Sequence, residues 1–176
     1  MHRTVLTVLA GVLVLAAVAI AASGGPDELK AMLLRPMPEV GRRAPDFTLP
    51  TLDGEELTLS SLAGRPVLIN FWASWCPPCR EEMPYLQAAA LANRELVVLA
   101  VDATHTERNV AQVAAFVEEF GLTFPVALDR DGAVNELYLV RALPTSYFVD
   151  RSGVIRAKYL GALTPAALQE FLQLIE

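Results

Sequence analysis

The longest apolar runs of the chain predict the centre of an α/β fold. Residues 67–72 and 96–101 are almost uninterrupted apolar stretches, which is the pattern of parallel strands buried on both faces. Residues 76–93 lie between them and repeat apolar side chains at helical spacing, as a crossover between parallel strands requires. After the second strand, Thr104 and Glu107 have the spacing of a capping box and predict the start of another helix. The pattern therefore predicts consecutive βαβ units.

Shorter segments predict the edges of the same domain. Residues 47–49 and 57–59 alternate apolar and polar side chains around a turn and predict an N-terminal hairpin. Residues 146–149 and 154–159 predict a second hairpin near the end of the chain. Thr164 then has the character of an N-cap, and the apolar residues after it have the spacing of a helix that packs on the core.

An uncharged apolar run near the N-terminus stands apart from this domain. Residues 5–22 nearly reach the length that spans a bilayer and exceed the usual core of a cleaved signal peptide. We therefore expect residues 1–23 to be a transmembrane anchor. Arg3 precedes the run and Asp27 follows it, so the positive-inside tendency places the body of the protein outside the cytoplasm. A cleaved signal is the alternative, because residues 19–21 read Ala-Ile-Ala.

The composition of residues 24–176 separates a tether from a domain and argues against nucleic acid as a partner. Gly and Pro are frequent just after the apolar run, so we expect residues 24–39 to be a tether and residues 40–176 to be one domain. The formal net charge is -6, and without residues 1–23 the chain has 13 basic and 20 acidic residues. Nucleic acid is not an expected partner, since binding to it depends on neutralising phosphates with Lys and Arg.

The candidate chemistry lies in the two cysteines of the chain. Cys76 and Cys79 stand where a buried strand gives way to a helix, and there backbone N–H groups and the helix dipole favour a thiolate. We expect Cys76 to attack a disulfide of a partner protein and Cys79 to resolve the mixed disulfide. A purely structural disulfide is the alternative, although closing so short a loop stabilises little. Two cysteines are too few for structural zinc, and neither a metal nor a cofactor is predicted.

The two residues between the cysteines bear on the direction of the reaction. Pro77 and Pro78 lack the backbone N–H groups that could stabilise the Cys76 thiolate. A stabilised reduced form is what makes a dithiol protein an oxidant. We therefore predict a reductant.

The segment of residues 70–84, which reads NFWASWCPPCREEMP, resembles the active-site segment of thioredoxin-fold proteins of the TlpA/ResA/CcmG type. The resemblance covers residues 40–176 and implies a three-layer α/β/α thioredoxin fold with a mixed central sheet, an N-terminal β-hairpin and an extra βα insertion. It implies a thiol-disulfide oxidoreductase anchored in the bacterial cell membrane by one helix, with its catalytic domain on the periplasmic or extracytoplasmic side. The implied partners are disulfide-containing proteins such as apocytochrome c during cytochrome c biogenesis, and a membrane thiol-disulfide transporter as electron donor.

The same resemblance assigns roles to residues around the cysteines. Pro144 matches the family's cis-proline, which faces the CxxC motif, and Leu143 before it is expected to pair with the extended chain of a substrate. Trp75 matches the aromatic residue before the first cysteine, where a contact surface and core packing are both open possibilities.

Proton transfer is expected to involve a glutamate. Glu82 lies one helical turn after Cys79, at a position where similar proteins carry a functional glutamate, and we expect it to accept the Cys79 proton. Simple complementation of the helix dipole is the alternative. Thioredoxin has a buried aspartate where this chain has Asn70, which leaves Glu82 or water as the base.

Two other functions share some of these features. A peroxidase of the peroxiredoxin group has the same fold, but its Pro-x-x-x-Thr-x-x-Cys motif meets Ala73 at the threonine position. A copper-delivery module could hold Cu(I) on the two thiolates, which suit that soft ion. Neither Met nor His lies close in sequence to widen such a site.

Overall fold

The computed structural model describes residues 37–176. The strands within these residues are β1 (Thr48–Pro50), β2 (Glu56–Thr58), β3 (Val67–Trp72), β4 (Val97–Asp102), β5 (Val126–Leu128), β6 (Thr145–Val149) and β7 (Ile155–Leu160). The α-helices are α1 (Pro77–Ala92), α2 (Val110–Phe120), α3 (Ala133–Leu137) and α4 (Pro165–Leu172). Two 3₁₀ turns cover Leu59–Leu62 and Thr104–Thr106.

The central sheet is mixed, as the resemblance to thioredoxin-fold proteins implies. Its strand order is β5-β4-β3-β6-β7, with β3, β4 and β5 parallel and with β6 and β7 antiparallel to their neighbours. Every residue of β3 and of β4 is buried, which confirms the prediction made from their uninterrupted apolar character. The carboxyl end of the central strand β3 leads directly into the CxxC segment.

Apolar clusters lie on both faces of this sheet. Alternate residues of β3 divide between them, because successive side chains of a strand point to opposite faces. Leu68 and Trp72 belong to the cluster that α1, α2 and α4 cover, whereas Ile69 and Phe71 belong to the cluster that α3 and the N-terminal hairpin cover. The predicted α/β/α arrangement is therefore confirmed for the described residues.

Both predicted hairpins form. Strands β1 and β2 make a separate antiparallel pair, and an isolated bridge from Thr51 to Ala127 joins this pair to β5. Strands β6 and β7 pair antiparallel beside β3 and complete the sheet. Thr164 caps α4 as expected, since its side chain accepts the N–H of Ala167 at 3.2 Å.

The capping-box prediction at Thr104 and Glu107 is wrong. Helix α2 begins later, after Asn109, whose side chain accepts the N–H of Gln112 at 3.1 Å. Both predicted capping side chains have other partners instead, one of them local and one distant in sequence. The Thr104 hydroxyl donates to the carboxylate of Asp102, and Glu107 reaches the loop before Cys76. Spacing alone cannot distinguish a local cap from a side chain that bonds to a distant part of the chain.

The anchor predicted for residues 1–23 and most of the predicted tether lie outside the described residues. Within the part that the structure does describe, no helix has both the length and the apolar character needed to cross a membrane.

Candidate active site

The two cysteines meet at the start of helix α1. They form a disulfide with their Cα atoms 5.3 Å apart, and Cys76 is the N-cap residue of the helix. Pro77 and Pro78 occupy the first helical positions, where the missing N–H groups cost the helix nothing. Cys76 retains 3% of its accessible surface and Cys79 retains none, so Cys76 is the outer sulfur.

One backbone donor remains for the outer sulfur. The N–H of Cys79 points at the Sγ of Cys76 at a distance of 3.3 Å. In the reduced protein this N–H and the dipole of α1 would favour a thiolate at Cys76. The two prolines withhold the other donors of the first turn, as the sequence predicts.

Glu82 is a fully buried carboxylate on the sulfur-bearing helix. Its Oε1 accepts the side-chain amide of Asn70 at 2.8 Å, and its Oε2 accepts the backbone N–H of Leu163 at 2.7 Å. Burial raises the pKa of Glu82 from 4.5 to about 7, although both hydrogen bonds act in the opposite direction. A carboxyl group that titrates near neutrality can both accept and return a proton under ordinary conditions.

Asn70 holds this carboxylate in place, and sequence reasoning missed that role. It lies on β3, where its amide donates to Glu82 and, at 3.0 Å, to the hydroxyl of Ser146. The residue found where thioredoxin has an aspartate therefore fixes the position of the Glu82 carboxylate. The available signal in the sequence was the single polar residue, Asn70, in the otherwise apolar strand β3. Its partner Glu82 lies twelve residues later on helix α1, so the sequence did not indicate the hydrogen bond.

The predicted substrate-binding loop faces the disulfide. The Leu143–Pro144 peptide bond is cis, as the family resemblance implied. A groove of about 390 Å³ runs between this loop and Cys76. Its lining includes Trp75, Cys76, His105, Arg141 and Leu143. The structure therefore brings the predicted contact residues Trp75 and Leu143 to one groove beside the outer sulfur.

Trp75 lies at the surface rather than in the core. Its side chain is 56% exposed, and its indole N–H donates to the hydroxyl of Thr106 at 3.1 Å. Trp72, by contrast, is fully buried against Phe116, as predicted. An exposed indole at the rim of a groove gives a partner protein a large apolar contact.

Several residues around the groove were not singled out from the sequence. Ser74, two positions before Cys76, donates two hydrogen bonds to the carboxylate of Glu107. His105 and Arg141 supply polar groups at the groove wall. His105, Glu107 and Arg141 lie outside the CxxC segment, and only the tertiary fold brings them to it. Among residues 37–176, no group of three or more His, Cys, Asp or Glu side chains could hold a metal ion.

Comparison with known proteins agrees with this geometry. Residues 40–158 match the AhpC/TSA family. The chain is 42% identical over 135 residues to the thioredoxin-like protein YneN of Bacillus subtilis, an alignment that covers 76% of this chain and 79% of that protein. It is 37% identical over 139 residues to the thiol-disulfide oxidoreductase ResA of Bacillus cereus, with 78% and 79% covered.

A solved structure supports the same relationship. The crystal structure of a putative thiol:disulfide interchange protein DsbE from Chlorobium tepidum superposes with a TM-score of 0.67 at 34% identity, covering 77% of this chain and 96% of that one. The family match spans the N-terminal hairpin, the CxxC helix and the cis-proline loop. The chain therefore belongs to the AhpC/TSA family, and within it to the thioredoxin-like protein thiol-disulfide oxidoreductases of the ResA and DsbE type.

Proposed function

We propose that this protein is an extracytoplasmic reductant of disulfides in partner proteins, with apocytochrome c as the substrate. The observation that carries the proposal is the position of Cys76, which caps α1 at the wall of an open groove with the cis-proline loop opposite. A sulfur so placed can be approached by an extended polypeptide and has a resolving sulfur three residues away.

The proposed reaction transfers two electrons to the partner. The Cys76 thiolate attacks one sulfur of the partner's disulfide, a mixed disulfide forms, and the partner's other sulfur leaves as a thiolate. Cys79 then loses its proton and attacks the Sγ of Cys76, which restores the intramolecular disulfide and releases the second partner thiol. A membrane thiol-disulfide transporter would return the electrons by the reverse exchange.

Glu82 is the proposed acceptor of the Cys79 proton. It lies on the same helix one turn after Cys79, and its pKa of about 7 suits an exchange with a thiol. Asn70 and Leu163 fix its two oxygens, so the group would not need to reorganise during the reaction.

The direction of transfer is argued from the donors available to the outer sulfur. A thiolate at Cys76 would have one direct backbone donor, the N–H of Cys79, because the two intervening residues are prolines. A weakly stabilised thiolate makes the reduced form less stable and the dithiol a better reductant.

Substrate binding is proposed to use the backbone beside Pro144. Neither the amide nor the carbonyl group of Leu143 has a hydrogen-bond partner within residues 37–176. Leu143 lines the groove, so these groups could pair with an extended segment of the partner, in the manner of an added strand. Trp75 would cover the segment from the other wall.

The proposed location rests on the sequence before the domain. Residues 5–22 have the composition of a spanning helix, and the charges around them favour an extracytoplasmic domain. Fusions of alkaline phosphatase after residue 39 would be active only if that orientation is right, and carbonate extraction would leave the protein in the membrane pellet only if the anchor is retained.

A trapping experiment tests the substrate. A Cys79→Ser variant, expressed in the cell of origin, keeps the attacking sulfur but cannot release what it captures. We expect it to accumulate a mixed disulfide with apocytochrome c, whereas the matched variant that also carries Cys76→Ser accumulates none. Capture of cytoplasmic proteins alone, or equal capture by both variants, would refute the proposed substrate and location.

A further inference from the structure

A carboxylate from outside the CxxC motif holds the loop that leads into it. Glu107 accepts the backbone N–H of Ser74 at 2.6 Å on one oxygen and the Ser74 hydroxyl at 2.7 Å on the other. Ser74 is separated from Cys76 by Trp75 alone, and the indole of Trp75 donates to Thr106 in the same turn as Glu107. Both residues before the attacking sulfur are therefore fixed to one short segment after β4.

Behind Glu107 lies a second carboxyl group that the proposed reaction does not use. Asp102 ends β4 and is fully buried, with its Oδ1 accepting the hydroxyl of Thr104 at 2.7 Å. Its Oδ2 is buried and accepts no hydrogen bond from residues 37–176. The Glu107 carboxyl group lies close enough to Asp102 to act on it electrostatically. A buried carboxylate oxygen without a donor is costly unless the oxygen itself carries a proton.

The surroundings favour that proton. Asp129 is also buried nearby, and its carboxylate accepts the backbone N–H and the side-chain amide of Asn135. His105 is exposed, and its ring lies against Gly132 with Nδ1 3.3 Å from the carbonyl oxygen of Asp129. In the described residues, no arginine or lysine bonds to any of the three carboxyl groups.

The electrostatic consequence is a raised pKa at Asp102. Burial is the largest cause, and the neighbouring carboxyl groups of Glu107 and Asp129 add to it, so that the pKa rises from 3.8 to about 7. Below neutrality the buried Asp102 carboxyl group therefore keeps its proton.

We propose that Asp102 is a positioning residue for the reaction at Cys76. Its protonated carboxyl group donates a hydrogen bond from Oδ2 to Glu107 and keeps the Glu107 carboxylate on Ser74, which fixes the backbone that presents the attacking sulfur. When Asp102 loses its proton, repulsion replaces that hydrogen bond and the Ser74 contact weakens. The proposal rests on the proposed function, since it assigns a role in the same exchange reaction.

The first test follows the Ser74 amide by NMR in the oxidised protein, where no thiol titrates. We expect its proton shift to titrate with a midpoint of about 7 in the wild type. An E82Q variant should give the same curve, because it removes the other buried carboxyl group with a similar pKa. D102N keeps a donor toward Glu107 but cannot ionise, and we expect a flat curve. An unchanged midpoint in D102N would overturn the proposal.

The second test measures the rate at which the reduced protein attacks oxidised glutathione at about pH 6. D102A removes the donor, and we expect a rate about tenfold lower, because a small misplacement of reacting groups has effects of this size or larger. D102N should restore most of the loss. Equal rates for D102A and the wild type would sink the proposal, and if D102A does not fold, the NMR titration still decides it. A wild type that does not exchange disulfides at all would instead contradict the proposed function.

Discussion

The buried Glu82 carboxyl group should make the stability of the oxidised protein depend on pH. Its pKa is 4.5 in an ordinary environment and about 7 in the folded protein. The folded state therefore binds the proton more tightly than the unfolded chain. Stability from this group is complete below about pH 4.5 and is lost as the pH rises to about 7 and above. At about 1.4 kcal/mol per pH unit, the full loss is about 3 kcal/mol of unfolding free energy.

An E82Q variant removes that dependence. Gln cannot ionise, but it also cannot accept from both Asn70 and Leu163, so the variant carries a constant penalty at every pH. The quantity to follow is therefore the difference in unfolding free energy between the variant and the wild type as a function of pH. We expect this difference to shift by about 3 kcal/mol in favour of E82Q between about pH 4 and pH 9.

Urea unfolding of both oxidised proteins, followed by the fluorescence of the buried Trp72, supplies the measurement. E81Q is the matched control, because Glu81 is the exposed neighbour of Glu82 and its removal changes the charge by the same amount. The E81Q curve should run parallel to that of the wild type. If the E82Q and wild-type curves were also parallel, the buried carboxylate would not titrate as argued, and its role as a proton acceptor would lose its physical basis.

Three further predictions concern the reaction itself. Resolution of a mixed disulfide formed at Cys76 should be about a hundredfold slower in E82Q, because the Cys79 thiol loses its base. Quenched-flow analysis of the captured species measures this rate, and an unchanged rate would show that water serves as the base instead. The reduction potential of the Cys76–Cys79 pair should lie well below the value of about -120 mV that is typical of a strong oxidant. Equilibration with glutathione measures this potential. A value near about -120 mV would contradict the proposed role as a reductant. Replacement of the exposed Trp75 by Ala should weaken partner binding by about 1–2 kcal/mol and leave the free energy of unfolding unchanged. A loss of stability without a loss of binding would assign Trp75 a structural role instead.

The elements that position the cysteines could be predicted because local patterns determine them. The apolar runs of β3 and β4 required burial on both faces, and the helix after β3 had the length of a crossover. Pro77 in the first turn of α1 and Thr164 as the cap of α4 are residue types that favour those positions. In each case the signal and the structure it predicts lie within a few residues of each other.

The contacts that tune the site could not be predicted because they join distant parts of the chain. Glu107 had the spacing of a capping residue, yet its carboxylate lies on Ser74, thirty-three positions earlier. The Glu82 carboxylate is held by Asn70 on β3 and by Leu163 near the last helix. Such pairings depend on the order of the strands and on the paths of the loops, and the spacing of apolar residues along the sequence does not predict either.

The central claim is that Cys76 attacks and Cys79 resolves, and stopped-flow kinetics with a disulfide-bonded peptide test it most directly. Reduced wild-type protein should reduce the peptide and return to its own disulfide, with no lasting adduct. The Cys79→Ser variant should form a stable adduct at Cys76 at the wild-type rate, and the Cys76→Ser variant should be inert. Undiminished reduction of the peptide by the Cys76→Ser variant would contradict the account.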